Sequence, residues 1–213
     1  MTSRRQISRR QKNSSSLPDL RHTITQKIVG RLRHECVALI GDEGTGRNTL
    51  VRRFLNMSAG PFLHPEHGRY RSRSVLVDLS ERPSIGDNET VNLIVFIFNF
   101  QELDFATFYY IISHLRSCAV IFDIGRSGTF YIAVHSMVKI AGLSGRSGPR
   151  YILVGNKIDL QWYEISPAFA ENVAEAYGAQ RYYGCSALRN INMDRVLDAI
   201  LLMALSQFAD VPL

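Results

Sequence analysis

The sequence predicts an α/β fold: a mostly parallel six-stranded sheet with helices on both faces. Three observations predict it. Apolar runs of strand length alternate with segments whose apolar residues recur at helical spacing, the pattern of a sheet covered on both sides. A glycine-rich stretch, Gly41-Asp42-Glu43-Gly44-Thr45-Gly46-Arg47-Asn48-Thr49, lies between the first such strand and the first such helix. Asn156-Lys157-Ile158-Asp159 closes a later apolar run, so polar residues fall at a strand's carboxyl end, where open α/β sheets bind ligands.

The elements follow in order. Residues 36–40 read as the first strand and 47–57 as the first helix, with Leu50, Val51, Phe54 and Leu55 on its apolar face. Pro61 to Tyr70 lack periodicity and read as a loop. Residues 74–79 and 91–98 read as a hairpin of two strands, turned by Pro83, Gly86, Asp87 and Asn88. Cys118 to Asp123 reads as a buried strand, and 129–142 carries Phe130, Ala133, Val134, Met137 and Val138 at helical spacing. The strand 151–155 follows. A helix then opens at Ser166, a plausible cap, with Pro167 in the first helical position, and stops at Gly178. A strand at 181–185 and a last helix over about 192–208, apolar along one face, complete the pattern.

A chain of 213 residues fits one domain with a tail. Three parts are expected: a basic, disordered extension over 1–33, a domain over 34–208 and a short tail over 209–213. The formal charge of +6 is unevenly placed: residues 1–34 hold nine basic groups and one acid, a net +8, against −2 for the rest. Three readings of the tail stand: a solvated extension, a patch for an anionic lipid or nucleic acid, or a mitochondrial presequence. No apolar run reaches membrane-spanning length, and no apolar leader follows the basic start. Cys36, Cys118 and Cys185 each lie in or beside an apolar run, so they read as reduced core thiols of an intracellular, cytoplasmic protein, or a mitochondrial one.

The strand–glycine loop–helix context suits phosphate: glycines let backbone N–H groups turn towards the anion, and the helix N-terminus adds partial positive charge. At the other motif, an Asp held at a strand mouth can accept two hydrogen bonds from guanine, a donor pair that adenine lacks. The Asn can reach the base's acceptor side, and the Lys stem can lie over flat surfaces nearby. Further on lies Tyr182-Tyr183-Gly184-Cys185-Ser186-Ala187-Leu188. Gly41 and Asn156 are 115 positions apart, and Asn156 and Ser186 are 30 apart. In order and spacing the three motifs resemble those of a Ras-like (Ras/Rab-type) small GTPase, and Ala170 to Gly178 resembles that family's penultimate helix and turn. The resemblance spans about residues 34 to 208.

The resemblance implies a three-layer P-loop NTPase fold that binds GTP or GDP. It implies phosphate contacts from Gly41, Gly44, Thr45, Gly46, Arg47, Asn48 and Thr49, and base contacts from Asn156, Lys157, Asp159, Ser186, Ala187 and Leu188. It also implies Mg²⁺ beside Asn48 and a water-orienting role for Gln101. The chain departs from the pattern where the phosphates would be handled. Arg47 stands in place of the loop Lys and is not its equivalent. Asn48 replaces the Mg²⁺-binding hydroxyl with an amide oxygen on a longer arm, a poorer fit to tight octahedral geometry, and Thr49 is one place late. Asp42 and Glu43 put carboxylates into a loop meant for an anion, and Glu43 occupies a place where the family needs a very small residue.

Aligning Gln101-Glu102 with the family's Q-E puts Ile97 at the Mg²⁺-sensing Asp and Phe100 at the phosphate-sensing Gly, where Phe100 is expected to pack as core. No Thr lies between Leu50 and Ser74 to close over the metal, so Ser58, Ser72 or Ser74 substitutes or nothing does. Guanine recognition is therefore expected to persist while Mg²⁺-dependent switching and hydrolysis are weak, lost or dependent on a partner. The alternative is a pseudo-GTPase scaffold that binds a protein or RNA without nucleotide.

Other candidates carry less. His34, His64 and His67 read as surface residues, and His114 and His135 as packing or surface residues. Trp162 and Tyr163 are expected to cap the core. Phe105, Phe108, Tyr109 and Tyr110 fall in the family's second switch region, as an exposed interface or as core. Protein partners are expected through the 60–72 and 98–115 regions. The end, Ala209-Asp210-Val211-Pro212-Leu213, carries no prenyl-acceptor Cys.

Overall fold

A computed structural model describes residues 33–57, 66–67, 70–83, 85, 89–102, 104–143 and 148–206. The expectations for the tail at 1–32, for Ser58 and His64, for the turn residues Gly86, Asp87 and Asn88 and for the end at 209–213 lie outside them.

The strands are β1 (Arg33–Gly41), β2 (Glu66–His67), β3 (Tyr70–Asp78), β4 (Thr90–Asn99), β5 (Ser117–Asp123), β6 (Arg150–Asn156) and β7 (Tyr182–Cys185). They form one sheet in the order β2-β3-β4-β1-β5-β6-β7. β4, β1, β5, β6 and β7 pair in parallel, while β3 joins antiparallel to β4 and β2 to β3. The six expected strands are all present. The two-residue β2 adds an edge within the stretch read as loop, too short to leave a periodic signal.

Five helices cover the sheet: α1 (Arg47–Asn56), α2 (Phe105–Ser113), α3 (Ser127–Leu143), α4 (Pro167–Ala176) and α5 (Met193–Leu205). β1 shows how one strand serves two cores. Val37 and Leu39 join the layer under α1 and α5, while Ala38 and Ile40 join the opposite layer with Phe108, Phe130 and Ala170. The alternation is the period of a strand, and all four side chains are buried because both faces are covered. α5 buries Met193, Val196, Leu197, Ile200, Leu201 and Ala204, one helical stripe. Ser166 caps α4, its hydroxyl accepting from Phe169 N–H at 3.2 Å with Pro167 in the first turn.

The sequence reading did not anticipate α2 as a helix. Its signals are Asp104, whose carboxylate accepts from Thr107 N–H at 2.9 Å and from the Thr107 hydroxyl at 2.7 Å, and the buried pair Phe108 and Ile112 one turn apart. The exposed Phe105, Tyr109 and Tyr110 between them hide that period. The first hairpin strand ends at Asp78, not Leu79, because Asp78 caps a short 3₁₀ turn over Leu79–Glu81.

Ile97 and Phe100 are both core. Ile97 lies beside Leu39 in the β1–β4 register. Phe100 stacks edge-on against Phe108 at 5.5 Å, and the exposed His135 covers it at 5.4 Å. Among the described residues no helix is long and apolar enough to cross a membrane.

Two predictions follow from the packing. Phe54→Ala, which empties a fully buried site under α1, should lower the unfolding free energy by about 3–5 kcal/mol in a urea titration. All three cysteines are free. Burial pushes the Cys118 thiol up and the Cys185 thiol to about 12. An aromatic disulfide reagent should therefore titrate at most the half-buried Cys36 in the native protein, and all three cysteines in denaturant.

Candidate functional site

The three motifs meet at the carboxyl ends of β1, β6 and β7, beside the point where the strand order reverses around β1. The phosphate-type loop runs from Gly41 to Gly46. Gly44 and Gly46 take φ of +76° and +90°, a conformation costly for any residue with a Cβ. A Cβ at Gly46 would also collide with the Asn156 amide. The buried Thr45 closes the loop on itself, its hydroxyl donating to Asp42 O at 2.9 Å. α1 starts from Gly46 with no side-chain cap and no acid in its first turn, so its leading N–H groups face the loop unsatisfied by side chains.

Asn156 ties the site together. Its Nδ2 donates to Thr45 O at 2.8 Å, and its Oδ1 accepts from Lys157 N–H at 2.8 Å and Ala187 N–H at 3.0 Å. The side chain read from sequence as reaching a base thus also locks two loops together, giving one of its two amide N–H donors to Thr45 O. Lys157 adopts φ +72° and sends its ammonium to the buried Asp123 at 2.6 Å. Asp123 also accepts from Gly125 N–H at 3.0 Å. Arg53 of α1 completes the frame, donating to Ala187 O at 2.7 Å and to Leu188 O. The buried Ser186 accepts from Arg189 N–H at 3.0 Å and shapes the turn, while the Leu188 side chain is exposed. Sequence reading missed Arg53, Asp123 and Arg126. Asp123 alone had a signal, an acid ending a fully apolar strand.

Two buried polar atoms in this frame have no protein partner: Asp159 Oδ1 at the base end and Arg47 Nη1 at the loop. Both fit a guanine nucleotide, one as acceptor for the base and one as donor to phosphate. Burial pulls the Arg47 pKa down, while Asp42, Glu102 and Glu43 oppose that shift. Arg126 approaches the loop's outer side, its Nη1 3.5 Å from Glu43 O, at the limit of a hydrogen bond. Asn48 is exposed and Thr49 half-buried behind it.

Mg²⁺ fits poorly. The residue aligned with its sensing Asp is the buried Ile97. Ser72 and Ser74 lie within β3, opposite Phe96 and Ile94, and not in a closing loop. Among the described residues no group of three His, Cys, Asp or Glu could hold a metal. Gln101 is exposed, its N–H 3.3 Å from Asn99 Oδ1, in a short turn whose Glu102 accepts from Asn99 Nδ2 at 2.9 Å.

Trp162 and Tyr163 do not cap the core. Trp162 is 85% exposed, and the exposed Tyr163 folds its hydroxyl back onto Ile158 O at 2.6 Å. The core there is closed by Ile165 instead, because the backbone of Glu164 and Ile165 pairs with Ile124 O and leaves residues 160–164 outside. His34 and His114 are exposed, as expected.

Asn156→Ala should leave Thr45 O and Ala187 N–H unpaired in a buried setting, at about 1–3 kcal/mol for each group. Urea unfolding should show a loss of at least about 2 kcal/mol, with the amides of both loops losing hydrogen-exchange protection together.

Compared with known protein families, residues 36–206 match the one described as Ras family. No curated protein matches the chain.

Proposed function

The chain belongs to the Ras family of GTP-binding small GTPases, and on that premise we propose that it binds a guanine nucleotide while hydrolysing GTP weakly or only with a partner's help. The observation that carries this reading is the unpartnered, buried Asp159 Oδ1 at the carboxyl end of β6. A buried carboxylate oxygen without a donor is costly, and guanine supplies the missing N–H. A scaffold without nucleotide has no physical use for an acid held in this way. The uncapped N-terminus of α1 and the orphan Arg47 Nη1 support phosphates following the base.

Weak hydrolysis rests on what surrounds Gln101. A water held by a Gln attacks usefully only where phosphate charge is neutralised and the leaving group is stabilised. Ile97 and Phe100 are packed into the core, and the Ile97 side chain supplies no metal contact. Any GTPase activity therefore needs groups brought by another protein.

One observation favours the second reading, a scaffold that works through protein contacts. Phe105, Tyr109 and Tyr110 of α2 are 62%, 49% and 66% exposed, an aromatic surface of the kind that marks interfaces. It lies in the 98–115 region, and Lys139 reaches the Phe105 ring at 5.7 Å.

Thermal unfolding with added nucleotide tests the proposal. GDP at about 100 times its dissociation constant should raise the midpoint by about 5–10 °C, and ADP should leave it unchanged. Asp159→Ala should weaken GDP about 100-fold or more, through loss of two charge-assisted hydrogen bonds. Purified protein that carries no guanine nucleotide and ignores added GDP would leave only the scaffold.

A further inference from the structure

We infer that Arg126 is a phosphate contact of the nucleotide, a second guanidinium beside the glycine loop, on the reading above that the site takes guanine nucleotides. The sheet order places it there. β1, β5 and β6 are parallel neighbours, so their carboxyl ends lie side by side. The glycine loop leaves β1, Asp159 follows β6, and the turn Ile124–Arg126 leaves β5 between them. A nucleotide with its base at Asp159 and its phosphates over Gly44–Gly46 therefore crosses the end of β5. The phosphate nearest the ribose then enters the loop from its β5 side.

The backbone of that turn is pinned. Gly125 N–H donates to Asp123 Oδ1 at 3.0 Å, and Arg126 N–H to Asp123 O at 3.0 Å. The Thr129 hydroxyl donates to Arg126 O at 2.8 Å, and Ser127 N–H to Glu164 Oε2 at 2.7 Å.

The head of Arg126 is not pinned. The side chain is exposed and leans on the glycine loop, with Nη1 3.5 Å from Glu43 O. A Cβ at Gly44 would come within 2.8 Å of the same Nη1, so the bare Gly44 leaves the room that the guanidinium occupies. Among the described residues, the long contact to Glu43 O is the one hydrogen bond this side chain makes. A guanidinium has five N–H donors in a fixed fork and stays charged at neutral pH. On a fixed turn beside the loop it can meet two phosphate oxygens at once, and no strong bond is broken to do so.

The test is calorimetric titration of GDP into the wild type, Arg126→Gln and Arg126→Lys at low and at high salt. Urea unfolding of each ligand-free protein is the control. Gln keeps a donor for Glu43 O but no charge, whereas Lys keeps the charge. Arg126→Gln should weaken GDP about tenfold or more, and Arg126→Lys by less than about threefold. The gap between the wild type and Arg126→Gln should shrink as salt rises, and all three proteins should unfold at the same urea concentration, since the side chain is exposed. GDP bound by Arg126→Gln as tightly as by the wild type would overturn the inference. So would equal losses in the two variants, or a loss accompanied by earlier unfolding, since Arg126 would then act on the loop and not on phosphate. If the wild type binds no GDP, the parent proposal falls and takes this inference with it; if it binds GDP whatever stands at position 126, only the inference falls.

Discussion

The side chain of Asn156 holds the site in one geometry. Its amide carries the phosphate-type loop through Thr45 O, and its carbonyl oxygen carries the Ser186–Leu188 turn through Ala187 N–H. These loops are 111 and 31 residues away in the chain, so neither is fixed by local sequence. The strand under Asn156 is buried from Tyr151 onwards, so the knot stands on the core of the sheet. Gly46 is a glycine for the same reason: a side chain there would displace the Asn156 amide. Lys157 and Asp123 continue the lock one strand across, and Arg53 ties α1 to the same turn.

A well-built frame surrounds an electrostatically unusual cradle. Arg47 keeps the single positive charge that a phosphate loop needs, but it is partly desolvated and faced by Asp42, Glu43 and Glu102. In apolar surroundings such a guanidinium would strongly attract an anion. Here burial and the carboxylates of Asp42, Glu102 and Glu43 act on it in opposite directions. Ile97 and Phe100 lie at the neighbouring strand end. Both positions have been given over to packing, one against Leu39 and one against Phe108 and His135. The sheet gains core at both positions.

α2 shares the packing around Phe100. Anchored by Phe108 and Ile112, it turns three aromatic rings outward.

By itself the sequence determined the order of strands and helices, the two-faced burial of the sheet and the three motifs. Each is written locally: in the period of apolar residues, in glycines between a strand and a helix, and in caps such as Ser166-Pro167. It also showed Ile97 as unable to do the work of an Asp, and Phe100 as a core residue. The sequence did not reveal α2, whose exposed aromatics mask its period, or the exposure of Trp162, which depends on backbone pairing of Glu164 and Ile165 with Ile124. Nor did it reveal that Asn156 locks two loops of the protein while Asp159 Oδ1 has no protein partner. Both are polar residues of one four-residue motif, and their local sequence treats them alike. Only tertiary structure separates them, because a hydrogen bond is decided by which distant backbone group arrives within about 3 Å, and that is set by the packing of β1, β6 and β7 against each other.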